Sequence, residues 1–457
     1  MNPMKKLGPV VALFLFSVPL LAQQAVTGIN GLQFLAPMQL AFGRDDNFLV
    51  DRTSAQEKLF VLSLSPSIQP GAPDIRPQTL DDTIFVARLP KIAYVNDSRR
   101  HEFYATWLPE FEIFKSNGDQ NAFNQEALAN FNYYVRRNVQ VWFGDKFQTS
   151  KDPSRTMNNV FVLLPRGDYS ENSFSGGMEF QPSRITNVSI GYDTAWTKFG
   201  QPDPFQTHLL NSWSSGYSLS VSRLLGRTQR LSARYSLYTI RRINHAEKFD
   251  QTVDTHLPFE RPMHSLTVQY RVRPNPSTVL GFSGGGIKSD TGVDYTFSGS
   301  IHRRLGNYWL GGTYLRGLAL QARSETGFVQ GPDNNSFYDL AIIRFKGQPT
   351  QNTGLVVETT ISRAVSRAVL DSRKSMFGRI RYDYRVTDRS VLFASWESFN
   401  QNHNAFVQSP LSRNRFMMGI EFSLASELVR RVSNRNEDAQ YVALTDHAIR
   451  RRGLEED

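Results

Sequence analysis

Several features are missing from this chain, and each absence excludes a class of protein. The 457-residue sequence has no cysteine, which excludes disulfide scaffolds, thiolate metal centres and cysteine nucleophiles. After its N-terminal segment it has no continuous apolar run of the roughly 18 residues that a membrane helix needs. The net charge of +10 comes from lysines and arginines spread along the whole chain. Since no basic element stands out, no nucleic-acid partner is predicted.

Aromatic residues are abundant, with 32 Phe, 17 Tyr and 6 Trp. Aromatic side chains favour strands over helices. Apolar residues make up 40% of the chain and charged residues 21%, a balance unlike that of disordered chains or helical membrane bundles. The composition therefore predicts a folded, β-rich protein.

The N-terminus is typical of a secretory signal peptide. Two lysines precede an apolar run from Leu7 to Leu21, which ends at the small residue Ala22. The run is shorter than the about 20 residues of a membrane helix. Because the next residue is Gln23 rather than cysteine, no lipid anchor is expected. We predict a cleaved signal peptide over residues 1–22.

Apolar and polar residues alternate with a period of two in segments of about ten residues. Between Met376 and Arg385, for example, Ile380 and Tyr382 share one face while Arg379 and Arg381 share the other. A soluble sandwich also alternates. In this chain, however, the connections between strands alternate between short turns and long polar loops. That layout is typical of outer-membrane barrels.

The predicted fold is all-β: a transmembrane antiparallel up-and-down β-barrel of about 18 strands (16–18), with both chain ends on the short-turn side. The barrel is predicted over residues 35–425. A periplasmic N-terminal segment, 23–34, precedes it, and a charged C-terminal tail, 426–457, follows it. The predicted location is the outer membrane of a Gram-negative bacterium, with outer-membrane lipid and lipopolysaccharide as partners.

Ten charged residues oppose apolar faces in their strands and are the candidate site. A charge in hydrocarbon is costly, so these side chains must face water or one another. One interpretation is a water-filled, charge-lined pore, and the other is a set of ion pairs that only brace the wall. The candidates are Glu179, Asp193, Arg234, Arg271, Asp294, Glu358, Arg379, Arg381, Asp383 and Glu421.

No motif in the chain predicts catalysis, a cofactor or a metal site. Residues 281–285 match the G-x-S-x-G pattern of hydrolases around Ser283, but they lie inside a strand pattern with no helix after them. His101-Glu102 lacks the second histidine of a zinc helix. Small residues inside a barrel strand explain Ser283 better, so we predict that the protein is not an enzyme.

Two stretches resemble exported β-barrels of bacterial exopolysaccharide and exosortase systems. Phe42 to Asn47, followed by Ile84 to Tyr94 with its Leu-Pro-Lys core, is similar to the Y-D-D-N and L-x-P segments of those barrels. Asn130 to Phe147 resembles a hairpin of the same family, although phenylalanine stands where the family has tyrosine. The resemblance implies an outer-membrane barrel that aids polymer export, with no catalytic residues.

The leading functional hypothesis is a passive, porin-like channel for hydrophilic solutes or a secreted polysaccharide. The main alternative is a barrel with a plugged lumen that acts as a scaffold for an export system, and polysaccharide export components are possible partners. A hydrolase embedded in the barrel is a third hypothesis, which rests on Ser283 alone. The oligomeric state is not predicted.

Overall fold

A computed structural model describes most of the predicted barrel. The predicted signal peptide (1–22), most of the segment 23–34 and the tail 426–457 lie outside the described residues. No helix in the described part of the chain is long and apolar enough to cross a membrane. The described residues are 32–34, 38–46, 82–98, 100–152, 168–199, 211–243, 262–289, 292–318, 337–365, 374–401 and 411–422.

These residues form one short 3-10 helix, Gly118–Gln120, and a single sheet of twenty strands. The strands are β1 Leu32–Phe34, β2 Met38–Asp45, β3 Asp82–Arg88, β4 Ile92–Asp97, β5 His101–Phe114, β6 Ala122–Arg136, β7 Val139–Ser150, β8 Tyr169–Ser183, β9 Thr186–Phe199, β10 Asn211–Gly226, β11 Gln229–Ile243, β12 Met263–Asn275, β13 Thr278–Ser289, β14 Gly292–Leu305, β15 Tyr308–Leu318, β16 Phe337–Gly347, β17 Thr353–Val365, β18 Lys374–Arg385, β19 Ser390–Gln401 and β20 Leu411–Phe422.

The sheet closes on itself. From β5 to β20 every strand pairs antiparallel with the next, β20 pairs with β2, and β2 pairs with β3, which pairs with β5. β1 pairs with β4, and β4 pairs with the other half of β5. Because β1 and β2 share one position in the barrel and β3 and β4 share another, the barrel has 18 strand positions. The predicted closed antiparallel barrel is confirmed.

The alternation along residues 83–95 predicts one continuous strand, whereas the structure has two strands there, β3 and β4. The interruption falls at Leu89–Lys91 and contains Pro90, which has no N–H to donate to a neighbouring strand. The backbone N–H of Leu89 instead donates to the carbonyl oxygen of Pro109 on β5, at 3.0 Å. The first paired residue, Leu32, also lies three residues before the predicted start of the barrel at residue 35.

The two rims of the barrel differ, as the sequence predicts. Two-residue turns such as 137–138 and 184–185 join strands at one end, which we call the short-turn rim. The turn after β14 contains Gly306 at φ +61°, a conformation that favours glycine. Met38 pairs with Phe422 at this rim, so β2 begins and β20 ends there. Most connections at the other end, the long-loop rim, are longer.

The outer surface is apolar. Residues paired across antiparallel strands point to the same side of the sheet, and the exposed large apolar side chains follow one side all the way round. Ile190, Leu219 and Phe282 are about half exposed there. Most strands have at least 11 residues, enough to cross a bilayer at the usual tilt. An apolar exterior on a closed barrel is the arrangement of a membrane-spanning barrel.

Candidate functional site

An ion pair between distant strands identifies the side of each strand that faces the lumen. Arg413 on β20 contacts Asp152, two residues beyond the end of β7, with 2.9 Å between Nη2 and Oδ2. Four strand positions, those of β2, β3, β5 and β6, separate β20 from β7. In a closed barrel the two side chains can meet only through the interior. The register of the strand pairs then gives the lumen-facing side of every other strand.

All ten sequence-predicted residues lie on the lumen-facing side by this register. Glu179 and Asp193 are on β8 and β9, Arg234 and Arg271 on β11 and β12, and Asp294 on β14. The other five lie on β17, β18 and β20. Their part in lining an open pore stays a prediction. The ten, in chain order, are Glu179, Asp193, Arg234, Arg271, Asp294, Glu358, Arg379, Arg381, Asp383 and Glu421.

The structure brings three of the ten together around Arg381. Its Nε lies 2.8 Å from Oδ1 of Asp383, and its Nη2 lies 2.6 Å from Oε1 of Glu421. The guanidinium also lies over the ring of Phe393, 4.5 Å from the centroid. Two carboxylates and a ring fix this arginine against the wall. At this position the wall-bracing interpretation of the candidate charges fits the geometry.

Two more candidates pair with lumen-facing residues that the sequence did not single out. Arg379 contacts Glu397 at 3.4 Å, and Glu358 contacts Arg344 at 2.8 Å. The remaining five are spread over separate strands. Of these, Glu179 accepts a hydrogen bond from the side-chain amide of Asn187.

The most buried charged cluster was missed from the sequence. It lies at the long-loop rim, where Nη2 of Arg413 lies 2.7 Å from Asp45 and 2.9 Å from Asp152. Arg415 lies 3.4 Å from Glu112 and 3.9 Å from Asp45. All five residues are buried, Asp45 and Glu112 completely. We call these five residues the rim cluster.

The sequence held a partial signal for the rim cluster. Arg413 and Arg415 continue, towards the start of β20, the polar face that contains Glu421. Asp45 lies in the stretch that resembles the Y-D-D-N segment of export barrels. Asp152 follows β7 and has no strand pattern around it. Only the closed barrel places it near β20.

Apolar side chains fill the lumen-facing side below the rim cluster. Ala41, Ile84, Val86, Phe114, Phe393 and Met417 form one buried group across β2, β3, β5, β19 and β20. Closer to the short-turn rim, Arg88 on β3 and Glu110 on β5 form an ion pair at 2.6 Å. We call the lumen-facing side of β18 to β20 and β2 to β5 the crowded wall.

The lumen-facing side of β10 to β14, which we call the open wall, consists mainly of serine, threonine and glycine. Two hydroxyl pairs link neighbouring strands: Ser283 to Ser298 at 2.6 Å, and Ser220 to Ser189 on β9 at 2.7 Å. The wall's small residues include Gly216, Ser218, Ser220, Ser222, Ser232, Ser236, Ser265, Thr267, Gly281, Ser283, Gly285, Thr296, Ser298 and Ser300.

Three arginines stand among these small residues. Arg230 and Arg271 are direct cross-strand partners, and Arg234 lies two rungs from them on β11. Arg234 is exposed. The three guanidinium groups give this part of the wall a local excess of positive charge.

The hydrolase-like pattern lies within the open wall. Gly281, Ser283 and Gly285 all face the lumen in the middle of β13, and each pairs with a residue of β14. Ser283 lacks the strand-to-helix turn of a nucleophile elbow. Among the described residues no group of three or more His, Asp or Glu is placed to bind a metal.

No known family profile matches the chain, and no curated protein matches it. Solved barrel structures are similar to it at low identity. A BenF-like porin from Pseudomonas fluorescens Pf-5 is 10% identical over 86% of this chain and 100% of that chain, with a TM-score of 0.44. Pseudomonas aeruginosa OccK2 (OpdF) is 9% identical over 87% and 100%, with a TM-score of 0.45. The fold assignment rests instead on the strand pairing described above.

Proposed function

We propose that the barrel is a passive outer-membrane channel for hydrophilic solutes. The observation that supports this most is the open wall, where five neighbouring strands present small polar side chains to the lumen. Hydroxyl groups and glycine leave space and bind water, and a barrel of 18 strands is wide enough to hold an aqueous channel. The apolar exterior requires a membrane, and an exported barrel of this kind lies in the outer membrane.

The open wall also favours a class of solute. Arg230, Arg234 and Arg271 give it a local positive charge, and guanidinium groups bind carboxylates and phosphates well. One acidic candidate, Asp294, lies within this wall on β14, and another, Asp193, lies beside it on β9. We infer that anionic hydrophilic solutes pass along this side of the lumen. A secreted polysaccharide, as the resemblance to export barrels implies, would use the same surface through its hydroxyl and acidic groups.

Single-channel recording tests the proposal. The refolded barrel in planar bilayers should show stable conductance steps and a preference for anions over cations. Arg230→Glu plus Arg234→Glu should move the reversal potential in a salt gradient towards cation selectivity, because the open wall then becomes acidic. The matched control is Arg303→Glu, a charge reversal on the outward side of β14, which should leave selectivity unchanged.

Substitutions of the arginines on β18 would test anion selectivity less clearly. Arg381→Glu would place a new carboxylate beside Asp383 and Glu421. A changed conductance could then result from repulsion that distorts the wall rather than from the altered charge of the lumen. Arg230 and Arg234 lie on the open wall, away from these two carboxylates. Absence of any conductance in the refolded wild-type barrel would reject the channel.

A plugged barrel that acts as a scaffold is the second candidate. The rim cluster favours it, because Arg413 and Asp152 connect distant strands across part of the long-loop mouth. Under this hypothesis the refolded barrel has no conductance steps, and Arg413→Met opens them. Under the channel hypothesis the wild type already conducts.

A further inference from the structure

Four charged residues on the outward side of the barrel form a row at the long-loop rim. Arg316 on β15 pairs with Asp339 on β16, Asp339 pairs with Arg363 on β17, and Arg363 pairs with Lys374 on β18. The four therefore lie side by side on four consecutive strands. Neighbouring strands are about 4.8 Å apart, so the row is roughly 14 Å long. We call these four residues the outer basic row.

One acid lies among three bases in this row. Nη1 of Arg316 lies 3.4 Å from Oδ1 of Asp339, and the hydroxyl of Tyr314 donates to the same oxygen at 3.1 Å. The Arg316 guanidinium also lies 4.4 Å from the ring centroid of Tyr295. These contacts hold Arg316 and Asp339 in place. The row keeps an excess of positive charge, and Arg363 and Lys374 are exposed.

The row lies at the boundary between apolar and polar surface. One rung closer to the middle of the barrel, the outward residues are apolar: Ile361 on β17 and Met376 on β18 are both about half exposed. A cation facing hydrocarbon is costly near the middle of a bilayer and much less so at the headgroups. The level of the row is therefore the level of the headgroups, where arginine and lysine meet phosphate groups.

The other side of the barrel has no such row. At the same rim, Gln125 on β6 pairs with Thr149 on β7, and Thr149 pairs with Ser170 on β8. These outward residues are polar and uncharged. Lys198 on β9, Lys288 on β13 and Arg44 on β2 are single outward cations at this rim. What distinguishes β15 to β18 is that their outward charged residues lie on four consecutive strands. A general need for polar residues at the headgroup level does not explain it.

We propose that the outer basic row binds the phosphate groups of a lipopolysaccharide headgroup in the leaflet at the long-loop rim. Its length matches a ligand with more than one phosphate, with Arg363 and Lys374 as the accessible contacts and Arg316 held ready by Asp339 and Tyr295. The inference depends on the proposed outer-membrane location. It does not depend on whether the lumen conducts.

Titration of the refolded full-length chain in detergent with purified lipopolysaccharide tests this site. Arg363→Ala plus Lys374→Ala should weaken binding about tenfold, because each basic residue near an anionic headgroup contributes to affinity. Asp339→Asn removes the acid of the row and should tighten binding. The matched control, Arg223→Ala plus Arg303→Ala at the short-turn rim, should bind like the wild type.

Two further ligands separate phosphate recognition from other lipid contacts. Enzymatically dephosphorylated lipopolysaccharide should bind the wild type and the Arg363/Lys374 variant equally weakly, and inorganic phosphate should not compete at millimolar concentration. Equal binding of intact lipopolysaccharide to the wild type and this variant would overturn the proposal. So would an equal loss in the short-turn-rim control. Heat-modifiable migration in SDS gels verifies that each variant is folded, and Arg363→Gln replaces the double variant if that one does not fold.

Discussion

The crowded wall and the open wall are made from the same kind of alternating strand, yet their lumen-facing residues differ in size and in contacts. On the crowded wall, arginines meet carboxylates within 3 Å and large apolar side chains are buried beside them. On the open wall, serine and glycine predominate, and arginines lie beside one another. The first wall resembles the interior of a soluble protein, whereas the second presents smaller and more polar side chains. Stability should therefore depend on the first, and solute contact on the second.

The largest effect is expected at the rim cluster. Arg413→Met leaves Asp45 and Asp152 buried without their shared cation, and breaking a buried ion pair in this way costs about 3–5 kcal/mol. Urea titration of the barrel in lipid vesicles, followed by heat-modifiable migration, measures the loss. Asp45→Asn combined with Arg413→Met should cost less than Arg413→Met alone, because it also removes one of the two carboxylates that Arg413 contacts. A loss below about 1 kcal/mol for Arg413→Met would contradict the burial of the cluster.

A cavity in the apolar group of the crowded wall should come next. Met417→Ala removes a buried side chain that lies against Ile84 and its neighbours, and such truncations cost about 2–5 kcal/mol. The same urea titration reports the change. Ser220→Ala on the open wall is the control and should cost only about 0.5–1.5 kcal/mol, because it removes one hydrogen bond, to Ser189. Similar losses for both variants would remove the distinction between the two walls.

The strand pattern made most of the fold predictable, because a period of two directly records which side of a strand meets lipid. The alternation around Ile380 and Arg381 gave the correct side for both residues, and turn and loop lengths gave a closed barrel with 18 positions. The break at Pro90 was also visible in the sequence, since proline weakens a strand. The sequence interpretation passed over that signal.

The rim cluster could not be predicted in the same way. Asp45 and Arg413 are 368 residues apart and become neighbours only when the first and last strands pair. Asp152, just beyond the end of β7, contacts Arg413 because its side chain lies on the lumen side of the barrel. Alternation shows that a side chain faces inward but does not show which other strand it reaches. For the same reason, the ten candidate residues were placed on the correct side without their partners Arg344 and Glu397.

A smaller effect separates the arginines of the two walls. Arg381→Ala removes contacts to Asp383 and Glu421, and hydrogen bonds to charged groups contribute about 1.5–3 kcal/mol. Arg234→Ala should change stability by less than about 0.5 kcal/mol, because the side chain is exposed. Anion selectivity should respond in the opposite order, with the larger loss for Arg234→Ala. If Arg381→Ala had the larger effect on selectivity, the crowded wall would be the one that contacts solutes.

Ser283→Ala should reduce stability less than Arg381→Ala does, and this variant also tests the hydrolase hypothesis. The hydroxyl of Ser283 shares a hydrogen bond with that of Ser298, at 2.6 Å, so Ser283→Ala should cost about 0.5–1.5 kcal/mol, the usual contribution of one hydrogen bond. Ser298→Ala should cost the same, and the double variant little more, because both single changes remove one shared contact.

A nucleophile would behave differently: only Ser283→Ala would abolish turnover of an ester or glycan substrate. Measuring hydrolysis and urea stability for all three variants separates the two roles. Equivalent behaviour of Ser283 and Ser298 makes Ser283 a wall residue, whereas loss of a measurable hydrolytic rate in Ser283→Ala alone would make the open wall an active site.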